Sequence, residues 1–200
     1  ATADFVGIAV HCAQGQSVCS SANGGQADRL PDEPGGYNNY QALFGQKYVA
    51  PLISPNGPLT DLNGNVISDG KGHIGFPGFN GMSASTSLSY VAAMQEHGVP
   101  VTYAYISDAH DNNPSGSAFG PGQAGYVQRL ADYNDAFGKF FTRLTNDGIN
   151  SHNTLFVVNS DENDHFVGGA PSPANCDGVT IPCTYNQIGE INANLTGLLA

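Results

Sequence analysis

The pattern of hydrophobic and polar residues predicts two helices in the second half of the chain. Apolar residues recur at spacings of three and four from about Tyr126 to Asn146, which predicts an amphipathic helix. An earlier helix is predicted from Ser83 to Gly98, because the serine can cap the first N–H groups and the glycine can end the helix. The longer helix carries one predicted core stripe, made of Leu130, Tyr133, Phe137, Phe140, Phe141 and Leu144.

Two apolar runs that follow these helices predict strands. Residues 99–106 read Val-Pro-Val-Thr-Tyr-Ala-Tyr-Ile, and residues 154–159 read Thr-Leu-Phe-Val-Val-Asn. Short continuous apolar runs are typical of strands buried on both faces of a sheet. The order helix, strand, helix, strand therefore predicts an α/β fold with a mainly parallel sheet covered by helices on both faces.

The first eighty residues are dense in Gly, Pro, Asn and Asp, a composition that predicts long loops. Within them, residues 5–10 predict a short strand, whereas the pattern of residues 40–49 leaves helix and strand open. A length of 200 residues suits one domain. We expect a single α/β domain with a loop-rich segment at 1–80, a core at 81–170, and a disulfide loop and C-terminal helix at 171–200.

Acidic residues and histidines follow both predicted strands. Ligands bind beyond the carboxyl ends of strands in open α/β sheets, and these residues occupy that place in the sequence. Carboxylates this close together repel one another unless a cation or a proton pairs with them. The sequence therefore predicts a metal site. Its candidate ligands are Asp108, His110, Asp161, Glu162, Asp164 and His165.

Both clusters also have a plainer interpretation. Residues 161–165 can form a solvated acidic loop, and residues 108–114 have the composition of an ordinary turn. If a metal binds, the mixture of carboxylate and imidazole favours Zn²⁺ or Mn²⁺ over Ca²⁺. We expect Zn²⁺ first, with Mn²⁺, Mg²⁺ and Ca²⁺ as alternatives.

Charge argues against a nucleic-acid partner, and hydropathy argues against a membrane span. The net charge is −11, and the six Lys and Arg residues form no cluster, so no surface for nucleic acid is evident. No apolar run is long enough for a transmembrane helix. The chain begins in mature-looking sequence, so we expect that any leader peptide has already been removed.

The four cysteines form two local pairs, Cys12 with Cys19 and Cys176 with Cys183. Each pair is seven positions apart and brackets a loop with turn-forming residues. Neither pair has the C-x-x-C spacing of zinc ribbons or thioredoxin motifs, which favours two disulfides over thiols or zinc ligands. Disulfides persist in oxidising compartments, so we expect a secreted protein, extracellular or periplasmic.

Several stretches together resemble the alkaline phosphatase superfamily, which includes phosphodiesterases, nucleotide pyrophosphatases and related phosphoesterases. Residues 103–110 are similar to the element in which a strand ends in Asp…His. Residues 120–126 and 132–141 are similar to the intervening helix, and residues 153–165 to the second strand with its acidic end. The resemblance covers roughly residues 80–170.

This resemblance implies a metal-dependent phosphoester hydrolase of the phosphodiesterase or phosphatase type, acting on a small phosphorylated substrate. Asp108 and His110 would bind one cation. Asp161, with Glu162 or His165, would bind the same cation or a second one. Two such cations clamp the attacking and leaving oxygens during displacement at phosphorus.

The resemblance also raises the questions of the nucleophile and of completeness. Ser85 and Thr86 at the predicted helix start are the candidate nucleophiles, although capping is the ordinary role of such residues. Superfamily members are usually longer, so we expect a portion of a larger phosphoesterase, completed by the rest of a longer chain or by self-association. The alternative is a non-catalytic extracellular structural or binding module, derived from a phosphoesterase and lacking the nucleophile.

Overall fold

The computed structural model falls into two compact units. The first comprises Ala1–Ser107 with Ala136–Asn150, and the second comprises Asp108–Asp135 with Ser151–Ala200. The residues that the structure describes are 9–13, 20–23, 26–27, 40–44, 53–68, 74, 82–110, 118–160 and 166–190. Each unit is considered by itself below.

Three strands of the first unit form an antiparallel sheet. They are β1 (Ala9–Ala13), β2 (Gln26–Ala27) and β3 (Tyr40–Phe44), in the spatial order β1-β3-β2. Each outer strand pairs in antiparallel register with β3. Ala9 and Val10 of the strand predicted at 5–10 belong to β1, and residues 5–8 lie outside the described residues. The undecided segment at 40–49 begins as a strand, β3.

Helix α1 (Ala84–Glu96) begins and ends where local chemistry predicts. The Ser83 hydroxyl oxygen accepts a hydrogen bond from the backbone N–H of Thr86 at 3.4 Å, as an N-cap residue does. Gly98, one residue after the C-cap His97, has a φ of +81°. This left-handed conformation favours glycine and ends the helix.

Helix α1 is buried on nearly all sides, although it contains several hydroxyl groups. Ser87 and Ser89 are at most 1% exposed. The Ser87 hydroxyl donates to the carbonyl oxygens of Met82 and Tyr105, and the Ser89 hydroxyl donates to the carbonyl oxygen of Thr60. A buried hydroxyl is tolerated when it is hydrogen-bonded, so these bonds allow a polar helix to lie in the core.

Helix α2 (Ala124–Asn146) confirms the predicted amphipathic helix. At its end, Gly148 has a φ of +79° and its N–H donates to the Thr145 carbonyl at 3.0 Å. The N–H of Ile149 donates to the Leu144 carbonyl at 2.9 Å. This pair of bonds forms a glycine-based helix ending, in which a residue with positive φ follows the last turn.

The buried stripe of α2 is narrower than predicted. Ala136, Phe140 and Leu144, spaced four apart, are at most 2% exposed. Leu130 and Phe141, which were predicted to lie in the core, are 48% and 40% exposed. Helical spacing identifies an apolar face, but the width that becomes buried depends on the segments that pack against it.

Neither segment predicted to be a buried strand has that form. Residues 101–108 and 154–160 contain no strand in the structure. Their large exposed apolar side chains are Val101, Tyr103, Tyr105, Leu155, Val157 and Val158, with Tyr103 91% exposed and Leu155 87% exposed. An apolar run favours a strand, but hydrogen-bonded neighbours stabilise it.

The second unit contains a further antiparallel pair, β4 (Phe166–Gly168) with β5 (Ile188–Glu190). All strand pairs of the described sheets are therefore antiparallel. A mainly parallel sheet stays a prediction. Residues 171–190 contain no helix, and residues 191–200 lie outside the described residues, so the C-terminal helix expected within 171–200 stays a prediction.

An ion pair joins the two helices within the first unit. Nε and Nη2 of Arg143 each lie 2.6 Å from a different carboxylate oxygen of Glu96. Burial raises the pKa of Glu96, but the hydrogen bonds and charge of Arg143 outweigh burial and leave that pKa below its ordinary value. The hydrogen bond that protonated Asp147 donates to the Glu96 carboxylate, together with the negative charge of Glu96, raises the pKa of Asp147.

We expect Leu144→Ala to destabilise the protein by about 2–5 kcal/mol, because it leaves a cavity at a fully buried position. Leu130→Ala is the matched control, since Leu130 is 48% exposed and its truncation should have a much smaller effect. Urea unfolding followed by circular dichroism measures both. Equal losses in the two variants would contradict the assignment of Leu144 to the core.

We expect Glu96→Gln to lower stability at pH 7 and to have a smaller effect near pH 3. The folded-state pKa of Glu96 lies below its ordinary value of 4.5, so its contribution is present above that value and disappears as the pH falls through the folded-state pKa. Asp147→Asn is the control, and we expect it to raise stability at pH 7. The pKa of Asp147 is raised, so its ionised form is disfavoured in the folded protein. Thermal unfolding at both pH values provides the comparison, and a pH-independent loss in Glu96→Gln would contradict it.

Candidate metal site

Two of the predicted ligands, Asp108 and His110, lie close together in the second unit. His110 is 2% exposed, and its Nε2 atom is 3.8 Å from Oδ2 of Asp108. This separation is longer than a hydrogen bond. It is close to the ~3.4 Å that separates two ligands on one tetrahedral Zn²⁺, given metal–ligand bonds of about 2.1 Å. The donor types and their spacing therefore fit a shared divalent cation.

The two side chains differ in their access to solvent. The Asp108 side chain is 41% exposed, whereas that of His110 is 3% exposed. A buried imidazole is restricted in its orientation by packing, and a half-exposed carboxylate leaves one side of the pair open. Solvent therefore reaches the pair from the Asp108 side.

The backbone around His110 is held by the segment that leads into α2. The N–H of Phe119 donates to the His110 carbonyl oxygen at 2.6 Å. The Phe119 ring packs so closely on Gly125 that a Cβ atom at Gly125 would lie 2.7 Å from ring atom Cδ1. His110 is thus tied to the first turn of α2 through Phe119.

The second predicted cluster is not part of the described structure. Asp161, Glu162, Asp164 and His165 lie outside the described residues, so their role as ligands stays a prediction. Among the described residues, no group of three or more His, Cys, Asp and Glu side chains is placed to hold a metal ion. The candidate site therefore consists of the Asp108–His110 pair.

The candidate nucleophiles Ser85 and Thr86 belong to the first unit and make structural hydrogen bonds. Thr86 is buried, and its hydroxyl oxygen accepts from the Ser83 hydroxyl at 3.2 Å. The Ser85 hydroxyl oxygen accepts from the backbone N–H of Leu62 and from Nδ2 of Asn63, each at 3.1 Å. Ser85 thereby ties a loop to the first turn of α1.

That loop is a polar turn within the segment whose composition predicts long loops. Oδ1 of Asp61 accepts from the backbone N–H groups of Asn63 and Asn65 at 2.8 and 2.9 Å. Nζ of Lys139 donates to Oδ1 of Asn63 at 2.6 Å. The Asp-x-Asn-Gly-Asn spacing of residues 61–65 is the signal that predicts such a turn.

The predicted disulfide between Cys176 and Cys183 is confirmed, with Cα atoms 5.2 Å apart. Within its loop, Oδ1 of Asp177 accepts the backbone N–H groups of Ile181, Val179 and Thr180. These hydrogen bonds stabilise the ionised carboxylate, and the bond from Ile181 contributes most. They lower the pKa of Asp177 to about 2. The other predicted disulfide, Cys12 with Cys19, stays a prediction, because Cys19 lies outside the described residues.

The disulfide loop and the residues after it pack on the segment that precedes α2. The N–H of Cys183 donates to the Gly122 carbonyl at 3.0 Å, and the Tyr185 hydroxyl donates to the Pro121 carbonyl at 2.7 Å. The Tyr185 ring lies against Gly120, where a Cβ atom would clash with it. A Cβ atom at Gly122 would lie 2.8 Å from Sγ of Cys183, and Gly122 has a φ of +79°.

No family model, curated protein or solved structure matches the chain. The resemblance to the alkaline phosphatase superfamily therefore remains an interpretation of motifs. In the part of the chain that the structure describes, neither helix is long and apolar enough to cross a membrane.

We expect Ser85→Ala to lower the free energy of unfolding by about 1 kcal/mol, because the Leu62 N–H and Nδ2 of Asn63 lose the hydroxyl acceptor and the Leu62 N–H keeps only the Ser85 carbonyl at 3.3 Å. Ser151→Ala, which changes an exposed serine, is the control and should have almost no effect. Turnover of a phosphodiester should persist in Ser85→Ala if its hydroxyl serves only as this acceptor. Loss of turnover with unchanged stability would instead identify Ser85 as the nucleophile.

Proposed function

We propose that this chain is a secreted metal-dependent phosphoester hydrolase, or a portion of one, with the α/β fold of the alkaline phosphatase superfamily. The observation that carries the proposal is the approach of buried His110 to within 3.8 Å of the Asp108 carboxylate. The motifs at 103–110 and 153–165 supply the chemistry, since they resemble the metal-binding elements of phosphoesterases.

Asp108 and His110 would hold the cation, and Zn²⁺ is the one that their donor atoms favour. A cation at this place supplies polarisation of the phosphoryl oxygens of the substrate. Burial of His110 restricts its imidazole before any ligand arrives, which reduces the cost of organising the site. The residues at 161–165 would complete the coordination.

The charge of the chain makes substrate binding dependent on the cation. With a net charge of −11, the protein repels an anionic phosphoester at long range. A cation held by Asp108 and His110 would invert the local field beside them, so an anionic substrate could approach there. The attacking oxygen would come from a serine or threonine hydroxyl or from solvent water.

We expect His110→Ala and Asp108→Asn each to lower Zn²⁺ affinity at least tenfold and to lower phosphodiester turnover on the order of 100-fold, because each removes a proposed ligand. Metal content after dialysis and hydrolysis of bis(p-nitrophenyl) phosphate give the two readouts. His152→Ala is the matched control, since it removes an exposed imidazole.

Three outcomes separate the interpretations. Stoichiometric Zn²⁺ with chelator-sensitive turnover supports the hydrolase. Stoichiometric Zn²⁺ without turnover of phosphomonoesters or phosphodiesters supports the non-catalytic binding module. A wild-type chain that binds no divalent metal overturns the proposal.

A further inference from the structure

Four consecutive residues, Phe119–Gly122, connect the candidate metal site to the disulfide loop. At one end, Phe119 donates its N–H to the His110 carbonyl at 2.6 Å. At the other end, Gly122 accepts the N–H of Cys183 at 3.0 Å. All of these residues belong to the second unit, so the connection lies within one compact body.

The connecting residues have little room to move. Tyr185 covers Gly120 with its ring and donates its hydroxyl hydrogen to Pro121. The N–H of Gly120 donates to Oε1 of Gln123 at 2.6 Å. Gly120 is buried as well. Because the glycines have no side chains, the two backbones are in direct contact. A displacement of the disulfide loop must therefore move this segment.

The opposite face of the contact is equally tight. A Cβ atom at Gly178 would lie 2.5 Å from Cα of Gly122, and Gly178 has a φ of +73°. Gly178 lies inside the loop that Cys176 and Cys183 close. Its position next to Gly122 thus depends on the loop conformation that the disulfide restricts.

We propose that the Cys176–Cys183 disulfide loop positions His110 through Phe119–Gly122, so that the redox state of this disulfide regulates metal affinity at the candidate site. The regulation of metal binding rests on the proposed function. Tyr185 and Cys183 are positioning residues, because they act on His110 through the connecting segment.

Reduction by a dithiol reductant breaks the S–S bond. Two electrons and two protons pass from the dithiol to Cys176 and Cys183, which become thiols, while the dithiol becomes a disulfide. The hydrogen bonds to Asp177 remain possible in the reduced loop, so the loop is loosened without being removed. We therefore expect the Phe119–Gly122 segment to restrict His110 less strongly in the reduced protein.

The decisive variant is Cys176→Ala combined with Cys183→Ala, which opens the loop and creates no thiol that could itself bind Zn²⁺. Tyr185→Phe keeps the disulfide and the ring but removes the bond to Pro121. Val179→Ala is the matched control in the same loop, because Val179 is 85% exposed and keeps its backbone N–H.

Two measurements are made on the full chain. Competition with a chelating dye gives the Zn²⁺ affinity. In the metal-free protein, NMR gives the imidazole nitrogen signals of His110 and the hydrogen-exchange rate of the Phe119 amide. Global stability is measured in parallel, and a loss of stability alone shifts neither the His110 signals nor the affinity of the folded protein.

We expect about tenfold weaker Zn²⁺ binding in the double variant, the effect typical of residues that orient a metal ligand. The Phe119 amide should exchange faster and the His110 signals should shift. Tyr185→Phe should change each readout in the same direction by less, and Val179→Ala should leave all of them unchanged. If the double variant does not fold, Tyr185→Phe decides by the same criteria.

The results distinguish this inference from the proposed function. Equal Zn²⁺ affinity and equal Phe119 exchange in wild type and variants overturn the positioning role, while the hydrolase proposal stands. If wild type binds no Zn²⁺ but the His110 and Phe119 signals respond to the disulfide, the positioning role holds. In that case the proposed regulation of metal binding by the disulfide fails, and so does the proposed function.

Discussion

Hydrogen bonding of the hydroxyl groups on α1 is the constraint on which the first unit depends. Ser87 and Ser89 of this helix have almost no exposure to water, so their hydroxyl groups must find partners in the protein. Ser87 reaches the backbone of Met82 and Tyr105, and Ser89 reaches that of Thr60. The helix is thereby hydrogen-bonded to the irregular segments that contain Thr60 and Tyr105.

The second unit is organised by close backbone contact. Gly120, Gly122 and Gly178 permit approaches that a side chain would block, and the disulfide restricts the loop that makes the contact. Two hydrogen bonds lie next to this contact. The Tyr185 hydroxyl donates to the Pro121 carbonyl, and the Phe119 N–H donates to the His110 carbonyl. The backbone of His110 is therefore held by a segment that itself packs on residues distant from it in sequence.

The success of the sequence-based predictions depends on the distance over which each feature is determined. Helix boundaries at Ser83, Gly98 and Gly148 follow from capping, which involves residues within one turn. The same holds for the disulfide across seven positions. Strands predicted at 99–106 and 154–159 are not found in the structure, because a strand also needs a partner segment that an apolar run does not specify.

The sequence by itself determined which chemical groups stand near one another along the chain: the caps, the local disulfide and the Asp108-Ala-His110 spacing. Tertiary structure decided that His110 is buried, that Asp108 is half-exposed and that Tyr185 supports Pro121 from 64 positions away. The physical reason is that capping and short loops involve neighbouring residues, whereas burial and backbone contact depend on which distant segments pack together.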